Sequence, residues 1–556
     1  MRKPRIVLGV VIAAVALVLG ACTGLPTSGE PHEFAIEVPA REPIGQYGSG
    51  PQEGSEPAVL VDDFLRACSA GAFDDYATAK KYLLPETADK WRPTEQVVVY
   101  PTASAPSTKV PKIDDSTASV TIEVPTVATV NNGGILHELP GEGEATLKFE
   151  LAKDAEGEWR ISELDDGLVL SQNAFTTGFV NYDLYFTSTT RDALVADPRW
   201  LPRSRTPSHL VSAILAGPNE VLEEAVISDV AAGLVLSPAG VEVRDRIAYV
   251  DLYGESQTNT DDRTLLMWQI GQTLRQVPNV QATLVSVNSV NLDPQTTPMG
   301  PEYALERLVA LSEGALVIGW ESAVDEVLSS DLVPEGAAFP AIGPLEDSPA
   351  AWLGSDELVY VLRGREALSS VQVSGASWPS IDRFGNIWVT GNEGRSLYFI
   401  NEDDQLNEVA NPLSNTLLRA VKVSPDGARI ALIGQGDDGG TLWVGTLAPG
   451  EDGSFHIVAV QSVERVLGDV LDVTWVGSTT LSALVRGEDS DTATQVVNVP
   501  LGGWLSKFSG PLDSVWICAG EPGGVIVQRE DQTAFQRSGA AWRDLGNARE
   551  YVNSAG

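Results

Sequence analysis

Cysteine and histidine are scarce in this sequence, with 3 cysteines and 4 histidines among 556 residues. The cysteines are Cys22, Cys68 and Cys518, and no two of them have C-x-x-C spacing. Of the histidines, only His456 is a candidate for a catalytic triad, and its place inside "GSFHIVAV" favours a packed strand residue. G-x-S-x-G and G-x-x-x-x-G-K motifs are also absent. The sequence therefore predicts no catalytic, cofactor-binding or metal-ligating residue and no enzymatic activity.

Basic residues are few as well. The chain has 37 Lys and Arg against 76 Asp and Glu, a formal net charge of −39. No cluster of basic residues follows Arg5, so the sequence offers nothing that would neutralise a phosphate backbone. Nucleic acid is therefore not an expected partner. Attraction of basic patches to anionic lipid is not expected either, outside the N-terminal cluster.

One long apolar run is present, and it lies near the start. Ile6 to Leu19 spans 14 residues, enough for the hydrophobic region of a signal peptide and short of the roughly 20 that cross a bilayer. The run follows the basic "MRKPR" and ends in "LGAC" at 19–22. This order resembles the signal peptide and lipobox of bacterial lipoproteins. An ordinary cleaved signal followed by a cysteine, and a retained signal anchor, are the alternatives.

The lipoprotein resemblance assigns a role to Cys22. It implies a signal peptide at 1–21, cleavage between Ala21 and Cys22, and lipidation of Cys22 as S-diacylglycerol cysteine and N-palmitoyl cysteine. Several acyl chains on one residue anchor a protein stably where a single chain is marginal. Residues 22–55 are rich in Gly, Pro, Ser and Glu, which predicts a disordered tether.

The two remaining cysteines are expected to be buried. Cys68 and Cys518 are distant in sequence, and cysteine is among the residue types most often found in protein cores. We therefore expect two unpaired, buried thiols. A disulfide between them is the alternative.

Two α+β regions follow the tether. Region 56–175 begins with helical spacing and continues with strand patterns such as "QVVVY" and "ASVTIEV", which suggests an α+β fold similar to the nuclear-transport-factor-2-like cone. In region 176–295, "TPSHLVSAILAGPN" predicts a helix capped by Ser208 and ended by Gly217. Together with the "YF" at 185–186 and the "VDL" at 250–252, this helix resembles the GerMN domain, first described in spore-germination lipoproteins.

Region 305–556 is repetitive and all-β. Five segments share the pattern strand, turn, apolar strand, and their starts are 28, 42, 52 and 42 residues apart. A four-stranded blade needs about 40–50 residues, so the spacing predicts a β-propeller of five to six blades, with a degenerate blade at the 28-residue gap and one blade shared between early and late strands. A pair of β-sandwiches is the alternative. The segment 424–427, "SPDG", predicts a tight turn.

The tryptophans of this region are expected in the blade cores. They are Trp320, Trp352, Trp378, Trp388, Trp443, Trp475 and Trp516.

The order of lipobox, tether, α+β domain, GerMN-like domain and propeller resembles the actinobacterial lipoprotein LpqB family. The resemblance covers the whole chain. It implies a lipid-anchored protein on the extracytoplasmic face of the cell membrane that contacts the extracytoplasmic domain of an MtrB-like sensor histidine kinase. Such a protein modulates envelope and division signalling through a two-component system of the MtrA–MtrB type. A propeller that binds or hydrolyses an envelope glycan or peptide is the alternative, although no small-molecule substrate can be read from the sequence.

Overall fold

The computed structural model describes residues 48–556, apart from 110–111, 228–231, 255–259, 294–297, 299, 321–322, 365–366, 415, 437–438, 451, 464–467, 488–492, 521–523, 548 and 556. The chain divides into two units, Met1–Ile44 and Gly45–Gly556. All described residues belong to the second unit. The predicted signal peptide, Cys22 and most of the predicted tether lie outside the described residues.

In the first folded region, a long helix packs on a mostly antiparallel sheet. The helices are α1 (Pro57–Ala70), α2 (Ala77–Lys80), α3 (Pro85–Lys90) and α4 (Gln172–Gly178). The strands are β1 (Gln96–Tyr100), β2 (Ser107–Thr108), β3 (Lys112–Ile113), β4 (Thr117–Asn131), β5 (Leu136–Lys153), β6 (Trp159–Glu163) and β7 (Leu168–Ser171). The main order is β6-β5-β4-β1-β7. Burial alternates along β4, so one face of the sheet meets the apolar side of α1.

The second region is also α+β. Its strands and helices are β8 (Phe179–Thr187), β9 (Leu194–Pro202), α5 (Thr206–Ala216), β10 (Val235–Leu236), β11 (Glu242–Arg244), β12 (Ile247–Tyr253), α6 (Thr260–Leu274), β13 (Ala282–Val287) and β14 (Val290–Asn291). Strands β8 and β9 form a separate pair, and the sheet order is β10-β12-β13-β14 with β11 on β12. Helix α6 connects the parallel strands β12 and β13, which is the connection that a parallel pair requires.

Helix α5 begins earlier than the sequence predicted. Arg205 is its N-cap and Pro207 occupies its first turn, where a missing N–H costs nothing. The prediction that Ser208 caps the helix is wrong. Ser208 lies within the helical segment, and its hydroxyl accepts a hydrogen bond from the backbone N–H of Val241 at 2.9 Å. Gly217 does end the helix, at a φ of +98° that favours glycine.

The third region is a β-propeller with six four-stranded blades in the described part of the chain. From the innermost strand outwards, blade 1 has β38 (Glu550–Ser554), β15 (Leu308–Ser312), β16 (Ala315–Trp320) and β17 (Ala323–Leu328). Blade 2 has β18 (Ala338–Ile342), β19 (Ala350–Leu353), β20 (Leu358–Arg363) and β21 (Ala367–Gln372). Blade 3 has β22 (Ser380–Ile381), β23 (Ile387–Gly391), β24 (Ser396–Ile400) and β25 (Leu406–Val409).

The remaining three blades follow the same order. Blade 4 has β26 (Leu417–Val423), β27 (Arg429–Gly436), β28 (Gly439–Pro449) and β29 (Phe455–Ser462). Blade 5 has β30 (Val470–Trp475), β31 (Thr480–Arg486), β32 (Thr494–Pro500) and β33 (Ser506–Ser509). Blade 6 has β34 (Ser514–Ala519), β35 (Val525–Arg529), β36 (Ala534–Ser538) and β37 (Ala541–Gly546). The innermost strands contact one another around a central channel.

A late strand closes the ring. β38 pairs antiparallel with β15, with Ser554 opposite Leu308 and Asn553 opposite Val309. The backbone N–H of Ala555 extends the pairing to the carbonyl of Arg307 at 3.0 Å. Blade 1 therefore combines strands from both ends of the propeller sequence, as the sequence predicted.

The predicted degenerate blade is wrong. The segment 351–362 holds β19 and β20, the second and third strands of blade 2, whereas the next segment, 379–390, starts with the innermost strand β22. The spacing of 28 residues is short because it runs from the second strand of blade 2 to the first strand of blade 3, and both blades are complete. The innermost strand β18 was missed because "AFPAI" is short and contains a proline.

Side chains of the innermost strands fasten neighbouring blades. The open edge of each innermost strand faces the channel, where its backbone N–H groups need partners. Hydroxyl and carboxylate oxygens from a neighbouring blade accept from three of these groups: Ser380 Oγ from Val423 at 2.9 Å, Asp472 Oδ2 from Ile517 at 2.9 Å and Ser554 Oγ from Ala519 at 3.0 Å. These bonds hold the blades at fixed positions around the channel.

We expect removal of β38 to open the propeller. A chain that ends at Arg549 loses the inner strand of blade 1 and exposes β15 as a new edge. The propeller should then unfold at a temperature lower by more than about 10 °C, which calorimetry measures. A chain that lacks only Gly556 is the control. A truncated chain with the unfolding temperature of the full chain would show that blade 1 closes without this strand.

Candidate functional site

The predicted lipidation and cleavage residues, Cys22 and Ala21, lie outside the described residues, so both remain predictions. The other two cysteines are free and buried, as expected. Burial raises the pKa of Cys518 to about 12 and also raises that of Cys68, so both thiols stay protonated near neutral pH. Neither has the thiolate character of a reactive cysteine.

The described histidines lie on separate elements. His137 is exposed on β5, His209 lies on α5, and His456 is the second residue of the outermost strand β29. Burial lowers the pKa of His209, and Arg205 adds to that effect. Among the described residues, no group of three or more His, Cys, Asp or Glu side chains could hold a metal ion.

The richest polar cluster lies where the second region docks on the propeller. The propeller contributes the turns that follow β22 and β26, and the second region contributes the β8–β9 pair with its connecting turn. Arg383, from the first propeller turn, donates to both carboxylate oxygens of Asp192 at 3.0 and 2.8 Å and to the hydroxyl of Thr190 at 2.7 Å. Its guanidinium lies 4.2 Å from the ring centroid of Phe384. Only 4% of the Arg383 side chain is exposed, so its guanidinium is buried in the interface between the two regions.

The second turn is the "SPDG" segment, which forms as the sequence predicted. Gly427 has a φ of +72°, and its N–H donates to the carbonyl of Ser424 at 2.8 Å. Asp426 accepts from the N–H of Ala428 at 3.1 Å and from a guanidinium nitrogen of Arg429 at 3.2 Å. The turn thus holds Arg429 at the interface.

Arg429 ties the propeller to the second region. Its other terminal nitrogen donates to the carbonyl of Ala196 on β9. The indole N–H of Trp200, on the same strand, donates to the carbonyl of Gly502 in blade 5 at 2.6 Å. The amide of Asn181 on β8 donates to the same oxygen at 3.0 Å. Backbone oxygens on both sides are therefore part of the contact.

A third arginine ties the first region to the second. Arg199 on β9 donates through two nitrogens to both carboxylate oxygens of Asp197, at 3.1 and 2.6 Å, and through the third to the carbonyl of Gly133 at 2.6 Å. Gly133 lies in the turn between β4 and β5. Asp197 also accepts from the N–H of Asn219 at 2.9 Å. The pair is almost fully buried, and every nitrogen of the guanidinium has an acceptor.

A cavity of about 550 Å³ lies where the three regions meet. The first region contributes Asn132 and His137 to its wall, the second Arg199 and Glu220, and the propeller Arg429 and Gln461. Polar and apolar residues share the wall about equally. Because three domains contribute to it, the cavity can hold water or a small molecule only while the domains keep this arrangement.

The interface disfavours the ionised form of Asp183 on β8. Burial raises its pKa. Arg429 opposes the rise, whereas Asp197 and Asp426 add to it. Asp192 behaves in the opposite way. Burial alone would raise its pKa, but the hydrogen bonds from Arg383 and Thr190 and the charge of Arg383 lower the pKa to about 2.

We expect the substitution Asp183→Asn to stabilise the protein at pH 7.5. A carboxyl group with a raised pKa favours the folded state when protonated, so its contribution to stability is lost as pH rises through that pKa. Asparagine mimics the protonated form. The unfolding temperature should rise by roughly 1–3 °C at pH 7.5, and the gain should shrink towards pH 5. Asp245→Asn, in an exposed turn of the same region, is the control for loss of one charge. A gain that is equal at both pH values would contradict a role for the raised pKa.

Curated relatives align with nearly the whole chain. A lipoprotein LpqB from Nocardia farcinica is 25% identical over 536 residues, covering 88% of this chain and 86% of that protein. Lipoprotein LpqB from Thermobifida fusca is 26% identical and covers 90% of each. That of Bifidobacterium longum is 23% identical and covers 98% of this chain and 96% of its own.

Solved structures resemble the chain more remotely. A nidogen–laminin complex is 12% identical with a TM-score of 0.34, covering 45% of this chain and 98% of that one. A virginiamycin B lyase from Staphylococcus aureus is 10% identical with a TM-score of 0.31, covering 45% and 86%.

Family models match three successive parts of the chain. The LpqB N-terminal domain matches residues 50–176, the sporulation and spore germination domain matches 183–293, and the LpqB β-propeller domain matches 317–551. These spans coincide with the α+β region, the second α+β region and the six-bladed ring. By its domains and by its relatives, the chain belongs to the LpqB lipoprotein family.

Proposed function

We propose that this protein is a non-enzymatic, lipid-anchored accessory of a two-component sensor kinase. It works on the extracytoplasmic face of the cell membrane, where it binds the extracytoplasmic domain of an MtrB-like histidine kinase and tunes envelope and division signalling. Cys22 is the proposed lipidation site and Ala21 the last residue removed. The LpqB family membership and the lipobox at 19–22 support the anchor.

One observation carries the binding role. The three regions form a single interlocked body. Arg199 and Arg383 join them through hydrogen bonds at 2.6 to 3.0 Å, and Arg429 joins them through its contact with the Ala196 carbonyl. Such a body presents large surfaces of fixed shape, which suits recognition of another protein. No helix among the described residues has the length and apolar character to cross a membrane.

An anchor would make weak recognition effective. A protein held at the membrane by a tether meets a membrane-embedded receptor at an effective concentration set by the tether length. Ser49 and Gly54 are already hydrogen-bonded to the first region, through Tyr82 and Glu158. The part of the predicted tether before them, 22–47, could therefore span at most about 85 Å at roughly 3.3 Å per residue. The body would therefore stay within reach of kinases in the same membrane without a high intrinsic affinity.

We expect Cys22→Ala to leave an unacylated precursor that is not cut after Ala21. Without the thiol, no diacylglycerol can be attached, and processing of the proposed kind depends on that modification. Metabolic labelling with a fatty acid and the intact mass of the protein measure both effects. Cys68→Ala, which changes a buried thiol, is the control and should still be acylated. A Cys22→Ala protein that incorporates the fatty acid would show that the lipobox assignment is wrong.

We expect the acylated protein to capture a sensor kinase from its own membranes. After crosslinking and affinity capture, mass spectrometry should recover a histidine kinase with the wild-type chain. The Cys22→Ala chain at equal abundance should recover at least tenfold less, because its effective concentration at the membrane falls. Failure to recover any histidine kinase with intact, acylated bait would rule out the accessory role.

A further inference from the structure

The far end of the propeller channel carries features that the domain interface does not use. The second region covers the turns that follow β22 and β26, so the beginnings of the innermost strands lie at the opposite end of the channel. Four aromatic side chains meet at that end: Phe339 on β18, Trp378 just before β22, Trp516 on β34 and Tyr551 on β38. We call these four side chains the aromatic platform.

The rings of the aromatic platform all touch one another. All six distances between ring centroids lie from 4.7 to 6.4 Å. Each of the four residues is nevertheless partly exposed, unlike the fully buried Trp352 and Trp388 of the blade cores. The prediction that the tryptophans form blade core is thus wrong for Trp378 and Trp516. Because they come from four different blades, the rings lie across the mouth of the channel.

The backbone is distorted to place these rings. Phe339 has a φ of +56° and Tyr551 a φ of +50°, a region that bulky residues rarely adopt. Irregular pairing accompanies them, with register shifts between Ala338 and Ala341 in β18 and beside Trp516 in β34. Bulges re-aim side chains and are frequent next to functional sites. Strain of this kind persists where the surrounding structure enforces it.

A largely buried ammonium lies against one ring of the platform, on the side of blade 4. Lys422 on β26 is 4% exposed, and its Nζ is 5.5 Å from the ring centroid of Trp378. It makes no hydrogen bond to any described residue. The nearby Asp472 accepts from the backbone N–H groups of Val473 and Ile517, both at 2.9 Å, one with each carboxylate oxygen. Both oxygens of Asp472 are thus engaged by backbone groups, and among the described residues the ammonium has no hydrogen-bond acceptor. Burial lowers the pKa of Lys422, and the charge of Asp472 opposes that effect.

The exposed edge of the platform also offers donors. The indole N–H of Trp516 and the hydroxyl of Tyr551 make no hydrogen bond to a residue that the structure describes, and neither atom is among the buried polar atoms without a partner. The site thus combines an aromatic surface with unpaired N–H and O–H groups. Its ligand should have an apolar face and several acceptor oxygens, one of them charged.

We propose that the aromatic platform binds a pyranose sugar that carries a carboxylate, with a C–H face of the ring stacked on the aromatic rings and the carboxylate directed to Lys422. Aromatic faces are electron-rich and attract the weakly positive C–H groups of a sugar. The ammonium of Lys422 complements the carboxylate. A quaternary ammonium ligand fits less well, because Lys422 already occupies a face of Trp378 and its positive charge would repel a second cation. The proposal does not depend on the accessory role.

Two sugars that differ in one group test the proposal. N-acetylmuramic acid and N-acetylglucosamine share the ring and the acetamide, and only the first has a carboxylate, on a lactyl ether. Calorimetric titration of the full chain, in a detergent without a sugar head group, should give a dissociation constant about tenfold lower for N-acetylmuramic acid. Saturation-transfer NMR should show the sugar C–H face in contact with protein.

Four variants locate the binding. Lys422→Met should reduce the affinity for the acidic sugar to that for the neutral one, and Trp516→Ala should abolish binding of both. Tyr551→Phe keeps the ring and should weaken binding about three- to tenfold. Trp542→Ala is the matched control, because this partly buried indole lies on the outermost strand β37 and donates to Ser509 at 2.9 Å. Thermal unfolding checks each variant, and Tyr551→Phe remains informative if Trp516→Ala does not fold.

Three results would overturn the proposal. The first is no binding of either sugar to the wild-type chain at about 10 mM, a concentration that detects even weak ligands. The second is unchanged affinity in both Lys422→Met and Trp516→Ala. The third is capture of a protein through a photoreactive residue at position 516 while neither sugar binds, which would assign the platform to a protein partner.

Discussion

The pairing of β38 with β15 is the contact on which the rest of the propeller depends. A ring of blades has fixed geometry only when its first and last members are joined, and here that join is one antiparallel pair of strands. The hydrogen bonds that Ser380, Asp472 and Ser554 accept from backbone N–H groups of neighbouring blades can form only when the innermost strands lie side by side. Closure therefore holds both the docking face and the opposite mouth of the channel in place.

Three arginines carry this geometry from the propeller to the other two domains. A buried ion pair repays its desolvation cost only when its remaining hydrogen-bonding groups are also satisfied. Arg199 meets that condition fully, with acceptors for all its nitrogens. Asp183 has no such set of partners, and its pKa is raised by burial and by the nearby charges of Asp197 and Asp426. The arginine contacts are therefore better understood as setting the position of the domains than as a large source of stability.

Turn chemistry and strand spacing are readable from the sequence because each depends on neighbouring residues. The "SPDG" turn, the glycine that ends α5 and the blade period are of this kind. The interface arginines give no such signal, because the residues next to an arginine in the sequence do not show whether its side chain meets another domain or solvent. Trp378 and Trp516 are predicted wrongly as blade core for a similar reason. Their exposure arises from bulges and from contacts between blades that are far apart in sequence.

The closure strand also has a consequence for how two copies of the chain can meet. Until Ser554 reaches Leu308, the edge of β15 is an open pairing site, and this contact joins residues at opposite ends of the propeller sequence. The β38 of a second copy offers the same side chains and the same backbone groups to that edge. Two half-closed rings can then exchange β38 and complete each other as an intertwined dimer. The strand that seals one ring is therefore also the segment through which two rings can become linked.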